Sequence, residues 1–323
     1  MTIGMPVFNG ERYLESAVIS ILDQTYQDFQ LVISDNGSTD QTREICEAYA
    51  ASEPRIRYFR HEKNLGAAHN YNRVFDLSRG RYFKWAAHDD LCGPEFLERC
   101  VAVLESNSSA VLCYPRTHLI DEGGLFIDVY DDDLDLRSQR AHERFRQFHE
   151  RYRHPAKCNP IFGLIRTSAL QETQRIGRFI SSDMILLGEL SLLGQFVEIP
   201  ARLFSRRDHR YRSVRALPGH AARALWFDPT HRSVEKYVRF RWCREYFRII
   251  ERAPISRVEK AHCYLQMGKW LAWNRKPLTR ESIRAARIFS RQLPTPIWRL
   301  LRFSWKSISK VARMVQVGRS NLS

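Results

Sequence analysis

Two adjacent carboxylates, Asp89 and Asp90, end the stretch "FKWAAHDD" at residues 83–90, straight after an aromatic, apolar run and just before a helical pattern. Mutual repulsion and desolvation disfavour such a pair at the end of a buried strand unless a cation or a hydrogen-bond donor neutralises it. Carboxylate oxygens suit a hard divalent cation. A third aspartate, Asp35, opens the turn Asp35-Asn36-Gly37-Ser38 after another apolar run. Its carboxylate can accept hydrogen bonds from a nucleobase N–H or a ribose hydroxyl, or serve as a plain turn or helix cap. The segment Pro6 to Asn9 closes a first apolar run in the same way.

The elements that must hold these groups follow from periodicity. "TIGMPVF", "FQLVISD", "IRYFR", "RYFKWAA" and "AVLCYP" read as strands. Residues 11–24, 39–51, 66–77 and 94–104 between them read as helices, with Ser38 or Thr39 as an N-cap and Pro94 in a first turn. Strands alternating with helices predict an α/β fold, a mostly parallel central sheet with helices on both faces. Ligands in such sheets bind beyond the carboxyl ends of the strands, so the three polar sets are expected to line one crevice.

After Pro115 the order changes. Residues 117–130 read as two short strands around Gly123-Gly124, and 128–136 as an acidic loop. That loop is either a metal site or, since its carboxylates lack an ordered spacing, a solvated lid or acceptor-side loop. Residues 158–166 are expected to be a strand, 182–193 a helix, and 194–207 a strand leading into a basic turn; from about 231 onward the pattern is helical.

The 323 residues, 44% hydrophobic and 27% charged, are enough for a full globular core. The seven scattered cysteines contain no C-x-x-C pair and suggest reduced thiols rather than a disulfide framework or zinc ribbon. With no long uncharged apolar run and no signal-peptide pattern in "MTIGMPVFNG", a cytoplasmic location is the expectation. The net charge of +15 is a property of the tail: residues 232–323 carry 22 Lys and Arg against 5 Asp and Glu, the remainder 29 against 31.

The stretch "MPVFNGERYLESAVISILDQTYQDFQLVISDNGSTDQT", followed by "NLGAAHNYNRVFDLSRGRYFKWAAHDDL", resembles glycosyltransferase family 2 over residues 2 to about 210. Members of that family carry a proline-valine-aromatic-asparagine opening, an Asp-(Asp/Asn)-Gly-Ser-Thr-Asp turn, an Asn-x-Gly segment and an aspartate-rich metal motif in this order. The resemblance implies a GT-A fold, a nucleotide-sugar donor and a divalent metal, Mg2+ or Mn2+. It places Pro6, Phe8, Asn9 and Asp35 at the base and ribose, with Asn64 and Gly66 nearby, and Asp89 and Asp90 at the metal that bridges the donor's phosphates. The family often reads Asp-x-Asp-Asp where this chain has Ala87-His88-Asp89-Asp90, which leaves the direct ligand open between the two aspartates. His88 is then either an orienting neighbour or only a strand-end residue.

An inverting transfer needs a base within reach of the acceptor hydroxyl. The family's base is an aspartate at the start of a helix in the second half, and Asp183 in "ISSDMILLGELSLLG" matches; helix capping is its alternative role. In "LFSRRDHRYRS", Arg206 and Arg207 are candidates to meet the diphosphate, and His209 is either an extra metal ligand or an exposed loop histidine.

The domain expectation is a GT-A domain at 1–230, with a nucleotide-binding half at 1–115 and an acceptor half at 116–230, then a helical, basic, Trp-rich extension at 231–323. Five of seven tryptophans lie in that extension, and from Ile297 the residues Trp298, Leu301, Trp305, Ile308, Ala312 and Val315 form one stripe. Such a helix suits an anionic membrane surface, or packing on the catalytic domain. Nucleic acid is not an expected partner, because the basicity lies outside the α/β motifs. The expected function is a metal-dependent inverting glycosyltransferase of the inner membrane face, acting on a glycan or lipid-linked acceptor. The alternatives are a non-catalytic membrane-bound scaffold and a sugar-nucleotide nucleotidyltransferase, although "PVFNGERYLE" lacks the glycine-rich basic loop of the latter.

Overall fold

The computed structural model describes residues 1–152, 158–211, 216–217, 219–230 and 237–292. Strand β1 (Thr2–Val7) is buried along its whole length because β2 (Gln30–Asp35) and β4 (Tyr82–Trp85) pair with it in parallel on either side. Its unbroken burial explains a sequence without polar alternation. Strand β3 (Ile56–Arg60) extends the parallel set beyond β2. Helices α1 (Leu14–Leu22), α2 (Thr42–Ser52) and α3 (Ala67–Asp76) make the connections. In α1 the buried residues Leu14, Ala17, Val18 and Ile21 form the one apolar stripe that a covering helix needs.

The second half contains β5 (Leu91–Cys92), α4 (Phe96–Ser106), β6 (Ala110–Ile120), β7 (Phe126–Tyr130), α5 (Ala141–Arg151), a 3-10 helix (Asn159–Phe162), β8 (Leu164–Arg166), α6 (Thr167–Gln171), α7 (Ser182–Leu193) and β9 (Gln195–Arg207). The sheet runs β3-β2-β1-β4-β8-β6-β9-β5, with β7 paired to β6. Strand β8 is antiparallel to both its neighbours, whereas β6 and β9 are parallel to each other.

The strand expected over 158–166 is a 3-10 turn followed by only three strand residues. Pro160, at the start of the turn, has no N–H to give a ladder. Strand β5 was not legible, since two residues carry no periodicity. Its antiparallel pairing, Leu91 opposite Ser205 and Cys92 opposite Phe204, brings the aspartate pair beside the basic end of β9.

The chain divides into two compact units, Met1–Leu271 and Ala272–Ser323. Unit 1 also holds α8 (His220–Phe227), α9 (Val238–Arg252) and residues 257–271 of α10 (Arg257–Trp273), so helices expected in the extension join the α/β body. Helix α9 packs on α7, the Trp242 Nε1–H donates to the Ile180 carbonyl at 3.0 Å, and Trp270 is buried against Tyr246. Unit 2 is described through α11 (Arg275–Gln292). The Trp-rich stripe from Ile297 lies outside the described residues. Among the described residues no helix is long and apolar enough to cross a membrane.

Candidate active site

The loops after β1 and β2 are zipped together. Asn9, at a left-handed φ of 51°, donates its N–H to Ser38 Oγ (2.9 Å) and accepts the Thr39 N–H at its Oδ1 (2.9 Å). Gly10 N–H donates to Thr42 Oγ1 at 2.8 Å. Asp35 is fully buried: Oδ1 accepts the Ser38 N–H (2.8 Å), and Oδ2 accepts the Tyr58 hydroxyl (2.9 Å) and lies 3.3 Å from Arg60 Nε. Two hydrogen bonds and one ion pair thus let Asp35 brace the turn, the capping role that its sequence also allowed. Asn64 Oδ1 accepts from Asn36 Nδ2 and from the Gly66 N–H, both at 2.8 Å, which shapes the entry to α3. Pro6 is buried inside β1, whereas Phe8 is exposed at the strand end.

The aspartate pair divides its work. Asp89 Oδ2 meets His209 Nε2 at 2.9 Å, and Asp90 Oδ1 accepts the backbone N–H of Arg207 at 2.9 Å. Burial disfavours the ionised form of both. At Asp89 the His209 hydrogen bond and the charges of His88 and His209 outweigh burial and lower the pKa; at Asp90 burial and the Asp89 charge raise it. Lys84, fully buried one strand-end earlier, adds a cation whose Nζ donates to the Phe162 and Trp85 carbonyls and lies 4.3 Å from the centre of the Phe96 ring.

Arg207 does not face outward. Its Nε donates to the Asp89 carbonyl (2.9 Å), Nη1 to the carbonyls of Asp121 and Glu122, and the guanidinium covers the Tyr13 ring. The expectation that Arg207 meets a diphosphate therefore gives way to a structural role, locking the β6–β7 turn to the aspartates. Arg206 is half-buried; its Nη1 donates to the Tyr130 hydroxyl at 3.3 Å.

Among the described residues no three His, Cys, Asp or Glu side chains already converge as a closed ligand set. Asp89 and His209 nevertheless fit a divalent ion of the Mg2+ or Mn2+ class. One carboxylate oxygen and one imidazole nitrogen are in contact, and His209, only 3% exposed, has a buried Nδ1 without a partner. A site with one or two protein ligands is completed by substrate phosphates and water. His209 is thus a buried partner of Asp89, not an exposed loop residue.

Asp183 stands in the first turn of α7, behind Ser181 in the left-handed region (φ 60°). Burial raises its pKa against the opposing pull of the Met184 N–H, the Cys158 thiol and Arg206. Tyr71, on α3, is raised first by burial and then by the charges of Asp89, Asp90 and Asp183, so one hydroxyl senses both carboxylate groups. The acidic loop faces elsewhere in part: Asp131 pairs with Arg202 at 2.8 Å.

Residues 2–173 match the model of glycosyl transferase family 2, more than half the chain. The chain belongs to that family. Relatives of this family 2 chain include an uncharacterized glycosyltransferase of Rickettsia bellii, 33% identical over 130 residues, 39% of this chain and 18% of that protein. Chondroitin synthase of Escherichia coli is 33% identical over 132 residues, 41% of this chain and 19% of the synthase. The chain spans less than half the length of these curated relatives.

Among solved structures, S. aureus TarS 1–349 in complex with UDP-GlcNAc superimposes with a TM-score of 0.57 at 15% identity, over 91% of this chain and 76% of that one. The mannosyltransferase PcManGT from Pyrobaculum calidifontis, in complex with GDP-Man and Mn2+, gives 0.50 at 13%, over 94% and 79%. At these identities the likeness shows the fold, which is GT-A. Sequence reading of the family 2 chain missed Tyr58, Arg60, Tyr13, Tyr71 and Cys158. Tyr13 and Tyr58 sat in ordinary helix and strand patterns, and Cys158 was one scattered thiol among seven; only the fold aims them at the site.

Proposed function

We propose that this chain is a metal-dependent, inverting glycosyltransferase that moves a sugar from a nucleotide-sugar donor to a hydroxyl of a glycan or lipid-linked acceptor. The observation that carries the reading is the Asp89–His209 pair together with a separate buried carboxylate, Asp183, in the first turn of α7, both carboxylate groups being within electrostatic reach of the one Tyr71 hydroxyl. The nucleotide sugars and Mn2+ bound by TarS and PcManGT support the donor class and the metal. Mg2+ or Mn2+, held by Asp89 and His209, would supply Lewis-acid stabilisation of the departing diphosphate.

The chain's own residues do the rest. The Arg206 cation lies near Asp183 and offsets negative charge developing on the leaving group. Asp183 takes the proton of the acceptor hydroxyl on a carboxylate oxygen, and its raised pKa makes it a better base than an exposed aspartate. The zipped loops of Asn9, Asp35 and Asn64 give the nucleoside a fixed wall, and attack occurs in line on the face opposite the leaving group. No covalent enzyme intermediate is needed. The charge excess of the tail supports attachment to the anionic inner face of a cell membrane, where a lipid-linked acceptor would be met.

Calorimetric titration of the purified chain with UDP, GDP and dTDP, each with and without Mn2+, tests the reading. One nucleotide is expected to bind tightly only when the metal is present. Absence of binding under every condition would remove the donor site and bring the scaffold alternative forward.

A further inference from the structure

Helix α10 has two apolar faces, and the body of unit 1 covers only one. Cys263, Met267 and Trp270 are buried, and the Glu259 carboxylate anchors the helix start to α5: its Oε2 accepts the His142 backbone N–H and lies against His142 Nδ1, both at 2.7 Å. On the opposite side Val258, Ala261 and Leu265 repeat at i, i+3 and i+7 and stay exposed, Leu265 at 71% and Val258 at 62%. A helix that is apolar all round is normally enclosed, so this stripe calls for a further partner. Helix α9 continues the same surface. The Phe247 and Tyr264 rings stack at 5.7 Å, which sets the two helices side by side, and Phe247 is itself exposed.

The charge of the surface gives the sign of that partner. Residues 238–271 carry eight Lys and Arg against three Glu, and each carboxylate is engaged within the fold. Glu259 is held by His142, and Glu251 accepts the Tyr264 hydroxyl at 2.8 Å. Glu245, its side chain 3% exposed, gathers Arg241 Nε (2.8 Å), Arg244 Nη2 (3.2 Å) and Arg248 Nη1 (3.3 Å). One buried carboxylate thus fixes three guanidinium groups along the helix and leaves a surplus of two positive charges. The side chains of Arg244 and Arg248 are more than half exposed, and one carboxylate cannot occupy the five N–H donors of each guanidinium. The rest suit phosphate oxygens.

We infer that the outer face of α9 and α10 is a docking surface for an anionic lipid bilayer, with Val258, Leu265 and Phe247 entering the headgroup boundary and Arg244 and Arg248 on lipid phosphates. The inference rests on the membrane attachment proposed above and locates it in unit 1, apart from the segment beyond Ile297. Aliphatic side chains flanked by cations match acyl chains beneath phosphates. A second copy of the chain would bring like charge against like, and a nucleic acid would find no ring on the Val258-Ala261-Leu265 stripe for its bases to stack on.

The test is sedimentation of the full chain with phosphatidylcholine vesicles, with and without phosphatidylserine. It compares wild type, Val258→Ser/Leu265→Ser, and Arg257→Gln/Lys269→Gln, which removes two exposed cations of α10 and leaves the arginines on Glu245 in place. Wild type is expected to bind the phosphatidylserine vesicles at least about tenfold more tightly than phosphatidylcholine alone. The first double variant should weaken that binding roughly tenfold at low and high salt alike. The second should weaken it by about fivefold per cation at low salt and little at high salt. Nucleotide binding and Tm should not change in either. Equal vesicle binding by wild type and Val258→Ser/Leu265→Ser overturns the inference and leaves attachment through the tail standing; no vesicle binding by wild type overturns both. Unchanged vesicle binding with loss of a dimer, or of retention on single-stranded nucleic acid, in the first double variant also overturns it, and assigns the face to a second copy or to nucleic acid. If that variant does not fold, Leu265→Gln alone carries the same comparison.

Discussion

His209 Nε2 lies 2.9 Å from Asp89 Oδ2, although 120 residues separate them in the chain. On the metal-dependent reading proposed above, the contact assigns Asp89 rather than Asp90 to the ion. Asp90 is turned the other way, onto the Arg207 N–H, and strand β5 holds that arrangement by pairing with β9. Asp89→Ala and His209→Ala are each expected to weaken Mn2+-dependent nucleotide binding by at least about tenfold. Asp90→Asn keeps an acceptor for the Arg207 N–H and removes one of two like charges, so its loss should be smaller. Calorimetry that ranks the variants in the reverse order would move the direct ligand to Asp90.

Glu189, buried in α7, accepts the Gln174 N–H at 2.9 Å. Burial raises its pKa from 4.5 to about 7, with the Glu245 charge adding to the rise and the Gln174 N–H and Arg252 opposing it. The folded chain thus holds this proton more tightly than the unfolded chain. The associated stability is fully present below about pH 4.5, falls as the pH rises to about 7, and is gone above it. Glu189→Gln keeps an acceptor for the N–H and removes the buried charge. It should raise Tm at pH 8, by on the order of 5 °C, and have a smaller effect at pH 5. Equal Tm changes at both pH values would show that Glu189 is ionised throughout.

Gly66 precedes α3 at φ 91°, and a Cβ there would lie 2.5 Å from the Phe227 carbonyl oxygen and 2.6 Å from Pro229 Cδ. Both the backbone conformation and the contact resist a side chain. Gly66→Ala should destabilise unit 1 by about 1–3 kcal/mol in denaturant titration. A variant of unchanged midpoint and slope would mean that the segment at 227–229 yields freely.

The proposed membrane attachment depends on the last helical pattern. Removing residues 297–323 takes away the stripe of Trp298 and Trp305 together with six of the chain's Lys and Arg residues. Sedimentation with phosphatidylserine-containing vesicles should fall several-fold, and the remaining binding should be lost at high salt. Undiminished binding would shift the attachment away from this segment.

Much of the architecture was already written in one-dimensional patterns. Alternating strand and helix periods gave β1 to β4 and α1 to α4 nearly at their observed bounds, because each element obeys a local rule of burial and turn chemistry. Parallel strands then force their carboxyl ends to one side, so the gathering of Asn9, Asp35 and Asp89 at one edge followed from sequence too. The spacing of the same motifs was enough to indicate the family.

What sequence could not determine was how each polar atom is spent. Arg206 and Arg207 are adjacent and chemically identical, yet one braces the aspartates and the other remains by Asp183, since neighbouring residues on a strand point to opposite faces. Asp89 and Asp90 differ for the same kind of reason, and Trp242 and Trp270, which composition grouped with the basic tail, pack within unit 1. The contact of the Cys158 Sγ with the Met184 Sδ joins a loop to a helix across 26 residues with no shared period. Local pattern determined the elements and the end of the sheet where chemistry occurs; only long-range packing decided which donors and acceptors meet there, because those contacts depend on relative placement that no local period encodes.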